Sequence, residues 1–487
     1  MNQEENLYKS YGQAVEYFEK NCHGNSDVNF REFLIPSINK KCFCVSIDGL
    51  ADSGKIEKAI IKPLLQKIVP KDIPLENIPM QITTALKIEK ETDLEKAMHN
   101  LFNGNCILLI EGAEKFFVIE IKGWQSRGIS TVEEEITVRG PKDCFTENFR
   151  TNTAQIRRRV KSKDLIFEDF TVGRHSRTTI TIAYMAGLAP KELPETLKER
   201  ILKIDIDNIA DSGQIEQLIE KNSGSPFPQC GNTERPDKAA AAILEGRAVV
   251  IVDGSPAVLI FPTTLSQFMQ TPDESYEKWQ VSILLRGVRW VAFYLSLLLP
   301  ALYIAVIAYH PGIMPTNFIL ISAANRQRFA FSAIMELFIL EFFIELIREA
   351  SIRMPKNIGQ TFGVVGGIIV GDAAIRSGIV SPLLVVVIGI TVLASFAIPS
   401  YNLSLSLRLM RFPVTIMSAM FGLFGFLVAF ILITCHVVNM RSLYTDYAAP
   451  YSPLIPQDFT NIFASPPLKK LKNRPFAFYP RNKKRQK

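Results

Sequence analysis

The stretch Val414–Val438, VTIMSAMFGLFGFLVAFILITCHVV, decides the fold class, because it contains no aspartate, glutamate, lysine or arginine. An α-helix that crosses a bilayer needs about 20 mainly apolar residues. A second stretch, Val288–Ala308, has Arg289 as its only charge, and the segment 360–407 contains only two charges. The second half of the chain is therefore predicted to be an integral membrane domain.

The front half differs in composition, because charged residues recur every few positions from Met1 to about Trp279. The averages over the whole chain, 47% hydrophobic and 21% charged residues, match an ordinary soluble protein and hide this division. They exclude collagen-like, disordered and disulfide-scaffold proteins. The chain is predicted to be a soluble module joined to a bilayer domain.

The net charge of +7 is concentrated at the C-terminus. Residues 440–487 contain ten basic and two acidic residues, a net charge of +8, which leaves about −1 for the rest of the chain. A basic tail after a membrane span is expected on the cytoplasmic side. The opening sequence MNQEENLYKSYGQ has no apolar signal-peptide segment, so the front half is also expected to be cytoplasmic. No basic patch with interleaved aromatic residues occurs there, and no nucleic-acid partner is predicted.

Two pairs of similar segments indicate a duplication in the front half. The strand-like run Cys42–Asp48 leads into Gly-Leu-Ala, and the run Thr178–Ala186 leads into the same three residues. A helix that leads into NGNCILLIEG (103–112) recurs before EGRAVVIVDG (245–254). The two matches have nearly the same separation along the chain, which predicts two copies of one α/β unit.

The predicted fold class is therefore a tandem-duplicated α/β N-terminal cytoplasmic module, then an all-α polytopic membrane domain and a basic tail. The predicted parts are an N-terminal extension (1–40), a first α/β subdomain (41–140), a basic helical linker (141–175), a second α/β subdomain (176–280), the membrane domain (281–440) and a basic cytoplasmic tail (441–487). In the linker, Arg157, Arg158 and Arg159 are interpreted as a solvated face near lipid headgroups, with a specific anion site as the alternative.

The segment Gly49–Lys55, GLADSGK, is similar to a phosphate-binding loop because it follows a strand and opens a helix. However, Ile56 replaces the hydroxyl residue that holds magnesium, and Asp52 adds a carboxylate. We predict that the segment binds no nucleotide and that its aspartate or serine caps the first turn of the helix. No CxxC, HExxH or GxSxG pattern occurs, and the seven cysteines are interpreted as reduced core thiols. The chain is predicted not to be an enzyme and to have no cofactor or metal site.

Several long strings closely resemble the A subunits of GerA-type spore germinant receptors. They are FTENFRTNTAQIRRR (145–159), SPFPQCGNTERPDKAAAAILEGRAVVIVDGSPAVLIFPTTL (225–265), ELIREASIRMPKNIGQTFGVVGGIIVGDAA (345–374) and ASFAIPSYNLSLSLRLMRFP (394–413). The resemblance extends from about Phe43 to Tyr447, with a departure at Arg328–Ser332, where a proline-bearing segment is expected. It implies a multi-pass subunit of the spore inner membrane that relays nutrient detection into germination. It further implies a transporter-like B subunit, a lipoprotein C subunit and further copies of this chain around an ion-conducting pore as partners.

The signature at the junction between the halves is a short polar segment. It consists of Thr233, Glu234, Arg235, Pro236 and Asp237. The proline suits the first turn of a helix, and the alanine run that follows ends at Gly246 as a C-cap. Two interpretations stay open: the segment fixes the orientation of the two halves, or it contacts a ligand or another subunit.

Five segments compete as membrane spans: about 287–308, 330–348, 361–380, 382–398 and 414–438. A soluble module and a tail on one side require an even number of crossings. Segment 330–348 is the one of the five that is not counted as a full span. At 100° per residue, Glu341 and Glu345 share a polar arc of this helix, while Glu336 lies roughly opposite. We predict four spans, with five as the alternative, and an amphipathic or re-entrant helix at 330–348.

The helix predicted at 361–380 combines charged residues with glycines. Asp372 and Arg376 are four positions apart, and a free pair facing lipid would be costly. They are interpreted either as a mutually satisfied pair near the helix end at Gly378 or as part of a pore or subunit interface. Gly367 and Gly371 have the GxxxG spacing that permits close helix contact. The predicted pore or transduction residues are Glu336, Glu341, Glu345, Gly367, Gly371, Asp372 and Arg376.

Three functions are compared. The favoured one is a membrane subunit of a nutrient receptor of endospores that transduces germinant detection by oligomerising into, or gating, an ion-conducting pore. The second is a non-conducting scaffold that docks the nutrient-binding partner. A nutrient transporter is less favoured, because four or five spans without a visible inverted repeat do not match the usual transporter architecture.

Overall fold

The computed structural model describes residues 10–70, 73–85, 87–123, 135, 139–317, 329, 331–353, 371–463, 469 and 471–486. The first α/β unit contains helices α1 (Tyr11–Asn21), α2 (Ser53–Ile56), α3 (Lys62–Gln66), α4 (Ile78–Ile82) and α5 (Leu94–Phe102). Its strands are β1 (Val28–Ile35), β2 (Lys40–Ile47), β3 (Ile88–Glu91), β4 (Cys106–Ile110) and β5 (Phe116–Ile119). A π-helical turn, Glu57–Ile61, joins α2 to α3.

The sheet of the first unit is antiparallel and has the strand order β1-β2-β4-β5-β3. One face packs on α1 and α5 through residues such as Phe18 and Leu101. The other face packs on α2 and α4 through residues such as Ile56 and Ile82. Because helices cover both faces, β4 and β5 are buried at every position, which explains their uninterrupted apolar sequences CILLI and FFVI.

The second unit repeats this arrangement. Its elements are α6 (Phe149–Arg159), β6 (Leu165–Val172), β7 (Thr178–Met185), α7 (Glu192–Leu202), α8 (Ser212–Ile219), β8 (Gly231–Thr233), α9 (Pro236–Leu244), β9 (Ala248–Val252) and β10 (Val258–Phe261). The strand order β6-β7-β9-β10-β8 corresponds to that of the first sheet. The runs that match in the sequence form β2 and β7, and β4 and β9, which hold equivalent places in the two sheets. The predicted α/β front half is confirmed, and its two sheets share one strand order.

The structure moves two of the predicted boundaries. β1, which was assigned to an N-terminal extension, pairs with β2 along its whole length and so belongs to the first unit. α6, which was assigned to a basic linker, precedes β6 as α1 precedes β1 and is the counterpart of α1. Arg157 is fully buried, so the predicted solvated face is wrong for this residue, while Arg158 is exposed and Arg159 pairs with Asp143. The helix itself was predicted, but its basic sequence concealed that one face is buried between the two units.

The second half of the chain is helical, as predicted. After the short α10 (Leu265–Phe268) it contains α11 (Trp279–Ile304), α12 (Ala333–Arg353), α13 (Pro382–Phe396) and α14 (Tyr401–Asn439). A π-helical turn, Ala305–Tyr309, extends α11. Two helices of the described part, Trp279–Tyr309 and Tyr401–Asn439, are long and apolar enough to cross a membrane by length and composition. Residues 361–370 of the predicted helix 361–380 lie outside the described residues.

α14 folds back on itself at a glycine. Gly422 has φ 61° and ψ −138°, which interrupts the helix. A Cβ added at Gly425 would lie 2.0 Å from the carbonyl oxygen of Met417, a residue that a straight helix would hold about 12 Å away. We name residues 401–421 the first arm and residues 423–439 the second arm of α14.

Both arms begin or end beside the same segment of the second unit. Ser406 Oγ of the first arm donates to the carbonyl oxygen of Pro226. Ser225 Oγ lies 2.8 Å from His436 Nε2 of the second arm. The prediction of one continuous span at 414–438 is therefore wrong. Only glycine adopts the positive φ of residue 422 at low cost, so a turn is hidden inside an unbroken apolar sequence.

α12 and α13 both run antiparallel to α11. We name the end of the helical region beside the α/β units the proximal end and the opposite end the distal end. The N-cap of α13, Ser381, has its Oγ 3.4 Å from the hydroxyl of Tyr303, near the end of α11 distal to the α/β units. At the proximal end, Arg348 Nη2 of α12 lies 3.4 Å from Ser395 Oγ of α13. The predicted amphipathic or re-entrant helix is instead a 21-residue helix that runs from the distal to the proximal end.

The segment predicted as a basic tail is folded onto the second unit. It contains the hairpin β11 (Arg441–Ser442) and β12 (Thr445–Asp446), then α15 (Pro456–Phe463). The backbone N–H of Arg481 donates to Leu188 O over 2.9 Å, and Arg474 Nε donates to Leu244 O over 2.8 Å. The C-terminal segment and both α/β units therefore lie at the proximal end of the helical region.

Candidate functional site

Five charged side chains meet inside the helical region, where α12 faces the first arm of α14. Arg411 Nη1 lies 3.6 Å from Glu341 Oε1. Arg408 Nη1 lies 3.1 Å from Glu345 Oε2, and Arg348 Nη1 lies 3.8 Å from Glu345 Oε1. We name these five residues the charge cluster.

Helical spacing assembles this cluster. Residues 341, 345 and 348 are four and three positions apart and therefore share one face of α12, and residues 408 and 411 share one face of α14. The predicted polar arc of α12 thus exists, and its charged residues face another helix. Sequence reasoning missed Arg408 and Arg411 because it left residues 400–413 outside the spans. The available signal was two arginines three positions apart in an otherwise apolar segment.

The cluster is buried and only partly satisfied. Glu341 and Arg411 are 3% and 4% exposed. Arg411 Nε donates to the carbonyl oxygen of Ser296 in α11 over 2.8 Å, so three helices meet at this guanidinium. Among the described residues, both oxygens of Glu341 and Arg411 Nη2 have no hydrogen-bond partner. A buried ion pair whose hydrogen bonds are incomplete contributes little net stability, because its attraction does not fully offset the desolvation of both charges.

Glu336, the third predicted acidic residue of α12, has a different role. Its Oε2 accepts a hydrogen bond of 3.0 Å from the backbone N–H of Ser381, the residue that caps α13. The side chain is buried. Glu336 thus attaches the distal ends of α12 and α13 to each other, away from the charge cluster.

Asp372 and Arg376 form the predicted pair on the surface of this chain. Arg376 Nε lies 2.8 Å from Asp372 Oδ2, and the side chains are 80% and 55% exposed respectively. A Cβ added at Gly371 would meet nothing within 4 Å, so no described part of this chain packs there. Gly367 lies outside the described residues.

The junction signature is held by a buried ion pair. Arg235 is fully buried, and its Nε and Nη2 donate to the two carboxylate oxygens of Asp237 over 3.0 and 2.8 Å. Tyr276, just before α11, donates its hydroxyl to Asp237 Oδ2 over 2.9 Å. Pro236 occupies the first turn of α9, as predicted. Asp237 therefore bonds both to Arg235 within the signature and to the segment that precedes α11.

The remaining two signature residues bond to neighbouring loops. Thr233 Oγ1 accepts from the backbone N–H of Arg235 over 3.1 Å and donates to Glu135. The carbonyl oxygen of Glu234 accepts from Phe145 N over 2.8 Å. Burial acts to raise the pKa of Asp237, but the hydrogen bonds and charge of Arg235 outweigh it and lower that pKa. The carboxylate is therefore ionised at neutral pH, and the Arg235 pair persists there.

A second buried ion pair attaches α11 to the α/β units, and sequence reasoning missed it. Glu274 accepts from Arg286 Nε over 2.5 Å and also from Arg289 Nη1. Thr271 and Glu274 form a capping box around a short 3₁₀ turn that precedes α11. The signal in the sequence was the Thr-x-x-Glu spacing of a capping box. Two arginines of α11 thus bind one glutamate of the segment that follows the second unit.

In the segment that is similar to a phosphate-binding loop, the side chain of Asp52 occupies the N-terminus of the helix. Asp52 Oδ1 accepts from the backbone N–H of Lys55 over 3.0 Å, and Lys55 Nζ lies 3.3 Å from Asp52 Oδ2. The helix N-terminus and the lysine that a phosphate would need are therefore both engaged. The predicted capping role of Asp52 is confirmed.

One group of side chains in the described part has ligand atoms close enough to hold a metal ion. The ligand atoms of Glu216, Glu220 and Cys230 lie within 4.8 Å of one another. Burial raises the pKa of Glu220 to about 7 and raises those of Glu216 and Cys230 as well. Glu220 also accepts from Gln229 N over 2.7 Å. A protonated thiol and a hydrogen-bonded carboxyl suit a buried structural cluster better than a metal centre.

The fold and the site define a class of protein: a duplicated α/β module attached by buried ion pairs to a helical region with apolar helices and an internal charge cluster. The family model described as Bacillus/Clostridium GerA spore germination protein matches residues 16–477. The chain belongs to this family, and the resemblance found in the sequence is confirmed.

Curated relatives match along most of their length. The uncharacterized membrane protein YfkQ of Bacillus subtilis is 36% identical, over 98% of this chain and 93% of its own. Spore germination protein B1 of B. subtilis is 33% identical, over 97% of this chain and 98% of its own. The crystal structure of the N-terminal domain of the A subunit of the Bacillus megaterium spore germinant receptor GerK3 is 29% identical, with a TM-score of 0.41, over 52% of this chain and 95% of that chain.

Proposed function

We propose that the chain is a membrane subunit of a spore germinant receptor, in which the charge cluster transmits a change in the α/β units to the helical region. The observation that carries the proposal is the buried Glu341–Arg411 pair, which joins α12 to the first arm of α14 in apolar surroundings. The names of the relatives, spore germination proteins B1 and A1 among them, support the role in germination.

A short segment links the second unit to the cluster. Arg348 of the cluster contacts Ser395 and lies over the ring of Phe396, 5.1 Å from its centroid, at the end of α13. The next residues, 399–402, lie beside Thr233 and Asp273 of the soluble half. If the second unit displaces the α13–α14 turn, the end of α13, which contacts Arg348, and the start of α14, which carries Arg408, are displaced as well.

The topology that fits these contacts is a multi-pass one with both termini on one side. α11 and the first arm of α14 run from the proximal to the distal end, whereas α12, α13 and the second arm run back. Five described segments thus run between the two ends: α11, α12, α13 and the two arms of α14. Because the C-terminal segment is docked beside the α/β units, the proposal is an even number of crossings, above the four or five predicted. The basic C-terminal segment supports a cytoplasmic placement of that end.

Asp372, Arg376 and Gly371 support the oligomeric part of the proposal. They lie on the surface of the single chain, and an exposed ion pair in a membrane segment needs water or protein around it. We place residues 371–376, which are helical, between copies of the chain, around an ion path. In the described arrangement Glu341 and Glu345 form ion pairs with arginines. These pairs must separate when the pore opens, and we call them the latch. The B and C subunits implied by the resemblance are the proposed partners.

The test uses spores in which the variants replace the native chain, with protein levels measured by immunoblot. Glu341→Gln should change spontaneous or nutrient-triggered germination several-fold. Glu349→Gln is the matched control, because Glu349 lies on the same helix but pairs with Arg353 on the exposed face. Normal germination of Glu341→Gln spores at normal protein level would contradict the latch.

Ion conduction is tested separately. The purified chain is reconstituted into liposomes that contain a fluorescent ion indicator, and flux is followed with and without Glu341→Gln. Flux that changes in the variant supports the pore. If no flux occurs while germination still depends on Glu341, the non-conducting scaffold is the correct alternative.

A further inference from the structure

The C-terminal segment carries a group of exposed lysines. They are Lys469, Lys472, Lys483 and Lys484, and we name them the basic surface. In the part of the chain that the structure describes, none of these four side chains forms an ion pair. Positive charge that no neighbouring carboxylate balances raises the local concentration of anionic partners.

A small hairpin holds three of these lysines in place. The backbone N–H of Arg485 donates to Lys472 O over 2.8 Å, and that of Arg474 donates to Lys483 O over 2.8 Å. Lys484 lies in the same hairpin, between Lys483 and Arg485. These charges are therefore presented by a folded surface and not by an extended tail.

The basic surface lies beside the start of the helical region. Arg485 of the hairpin and Arg286 of α11 line the same cavity, whose volume is about 120 Å³. α15, which precedes the hairpin, contacts α11. The ring centroid of Tyr451 lies 5.8 Å from that of Trp290 in α11 and 5.6 Å from that of Phe459 in α15. Tryptophan and tyrosine at the end of an apolar helix are typical of the headgroup layer of a bilayer.

α11 exposes an apolar stripe from its second turn onward. Leu284, Val288 and Val291 are exposed, and their spacing of four and three places them on one face of the helix. Leu284 lies two positions before Arg286, so lipid that covers this stripe reaches the level of Arg286. The phosphates of that lipid then lie at the level of the basic surface.

We propose that the basic surface binds the anionic headgroups of phospholipids in the leaflet next to it. The proposal rests on the membrane placement of the helical region in the proposed function. Each lysine close to an anionic leaflet strengthens the attraction about fivefold. A lysine is a point charge on a flexible stem, which suits mobile lipid phosphates better than a single phosphate in a fixed geometry.

Lipid binding at this surface would attach the second unit to the bilayer. The hairpin is part of a segment that is bonded to this unit, because Arg474 Nε donates to Leu244 O and the N–H of Arg481 donates to Leu188 O. The leaflet would be a point of attachment in addition to α11. The anionic lipid content of the membrane would then set how freely the second unit moves relative to the helical region.

The experiment compares two lipids around the full chain in nanodiscs. The discs contain phosphatidylcholine and a small fraction of phosphatidylglycerol or phosphatidylcholine that carries dansyl on an acyl chain. Trp279 and Trp290 of α11 are the energy donors, and Trp124→Phe in every chain removes the third tryptophan. We expect labelled phosphatidylglycerol to quench the tryptophan emission more strongly than labelled phosphatidylcholine. The difference should vanish in about 1 M sodium chloride, where charges are screened beyond about 3 Å.

A double variant tests the basic surface directly. Lys472→Gln together with Lys484→Gln should remove most of the preference for phosphatidylglycerol, because about fivefold is lost with each lysine. Lys20→Gln together with Lys58→Gln is the matched control, which removes the same charge from exposed positions of the first unit and should keep the preference. Inorganic phosphate at equal ionic strength should act as sodium chloride does.

The outcomes separate this proposal from the proposed function. Equal quenching by the two lipids at low salt overturns it, and so does a preference that the Lys472 and Lys484 variant keeps. Stronger competition by inorganic phosphate than by sodium chloride also overturns it, since the surface would then recognise free phosphate. Absence of quenching by either lipid would contradict the membrane placement itself. Glu341→Gln should keep the lipid preference, so a failure of the latch leaves this result unaffected.

Discussion

Arg157 of α6 and Asp27, in the loop between α1 and β1, form a buried ion pair across the two α/β units. Arg157 Nη2 lies 2.9 Å from Asp27 Oδ1, and the side chains are 0% and 1% exposed. The guanidinium also lies over Phe102 of the first unit and Phe167 of the second, 5.0 and 4.7 Å from the ring centroids. Arg157, which also donates to Leu165 O over 3.0 Å, thus joins the two units, beside contacts such as the N–H of Ser26, which donates to Phe167 O over 2.9 Å.

Replacement of this arginine should loosen the joint between the units. Arg157→Met leaves Asp27 buried without its partner, and the free energy of unfolding should fall by about 3–5 kcal/mol. Chemical denaturation of the purified chain measures the change. Arg174→Met is the control, because Arg174 and Asp205 form an exposed pair whose loss should cost about 0–1 kcal/mol. Equal effects of the two substitutions would show that Arg157 does not join the units.

The hairpin of α14 depends on Gly422. Gly422→Ala places a Cβ at positive φ and 2.9 Å from Tyr309 Cγ, so we expect a loss of about 1–3 kcal/mol and a lower melting temperature. Gly389→Ala is the control: a Cβ there meets nothing within 4 Å inside α13, and alanine should stabilise the helix by up to about 1 kcal/mol. Equal melting temperatures of the two variants would contradict the hairpin.

The C-terminal segment should contribute to stability through Phe478. This ring is buried beneath Arg247, whose guanidinium carbon lies 4.8 Å from the ring centroid. Phe478→Ala should lower the free energy of unfolding by about 3–5 kcal/mol. Leu454→Ala, at an exposed position of the same segment, should have little effect. Protease sensitivity of the segment provides a second measurement, and resistance equal to that of the native chain would argue against docking.

Stability should depend on the ionisation of Glu220. Burial raises the pKa of this carboxyl from its ordinary value to about 7, with a further rise from Glu216, although the N–H of Gln229 opposes it. The folded chain then binds more protons than the unfolded chain between about pH 4.5 and 7, so this residue's contribution to stability falls as pH rises through that window.

The measurement compares melting temperatures of the native chain and Glu220→Gln between pH 4.5 and 8. Glutamine keeps the acceptor for Gln229 and does not titrate, so the variant should gain stability relative to the native chain as pH rises. Glu199→Gln is the control, since its neighbour Lys203 lowers the pKa of Glu199 and moves its titration below the window. A constant difference between Glu220→Gln and the native chain across this range would contradict the raised pKa.

Much of the soluble half was predictable because its signals are local. The runs CFCVSID and EGRAVVIVDG occupy β2 and β9 because alternating or continuous apolar residues suit strands under helices. Asp52 and Asp211 cap α2 and α8, as their place before a helix indicates. In the helical half, Asp372 and Arg376 pair as their spacing of four predicts. Each of these features depends on residues within one or two turns of each other.

The errors occurred where distant residues decide the structure. α6 was assigned to a linker because Arg157 resembles a solvated residue, and its partner Asp27 is 130 positions away. Arg408 and Arg411 were left outside the predicted spans because the helix that neutralises them, α12, lies far earlier in the chain. No local pattern distinguishes a paired arginine from a solvated one.

The sequence alone determined the family, the division into an α/β half and an apolar half, the duplication and the location of the charges. These features follow from the composition of the chain and from the spacing of its apolar residues, and both are properties of neighbouring residues. Only the tertiary structure decided which charges meet, that α14 turns at Gly422 and that the C-terminal segment returns to the second unit. The free-energy cost of burying a charge depends on which partner lies beside it in space, and that partner is distant in the sequence. The backbone conformation of a glycine within an apolar run likewise depends on the helices that pack around it.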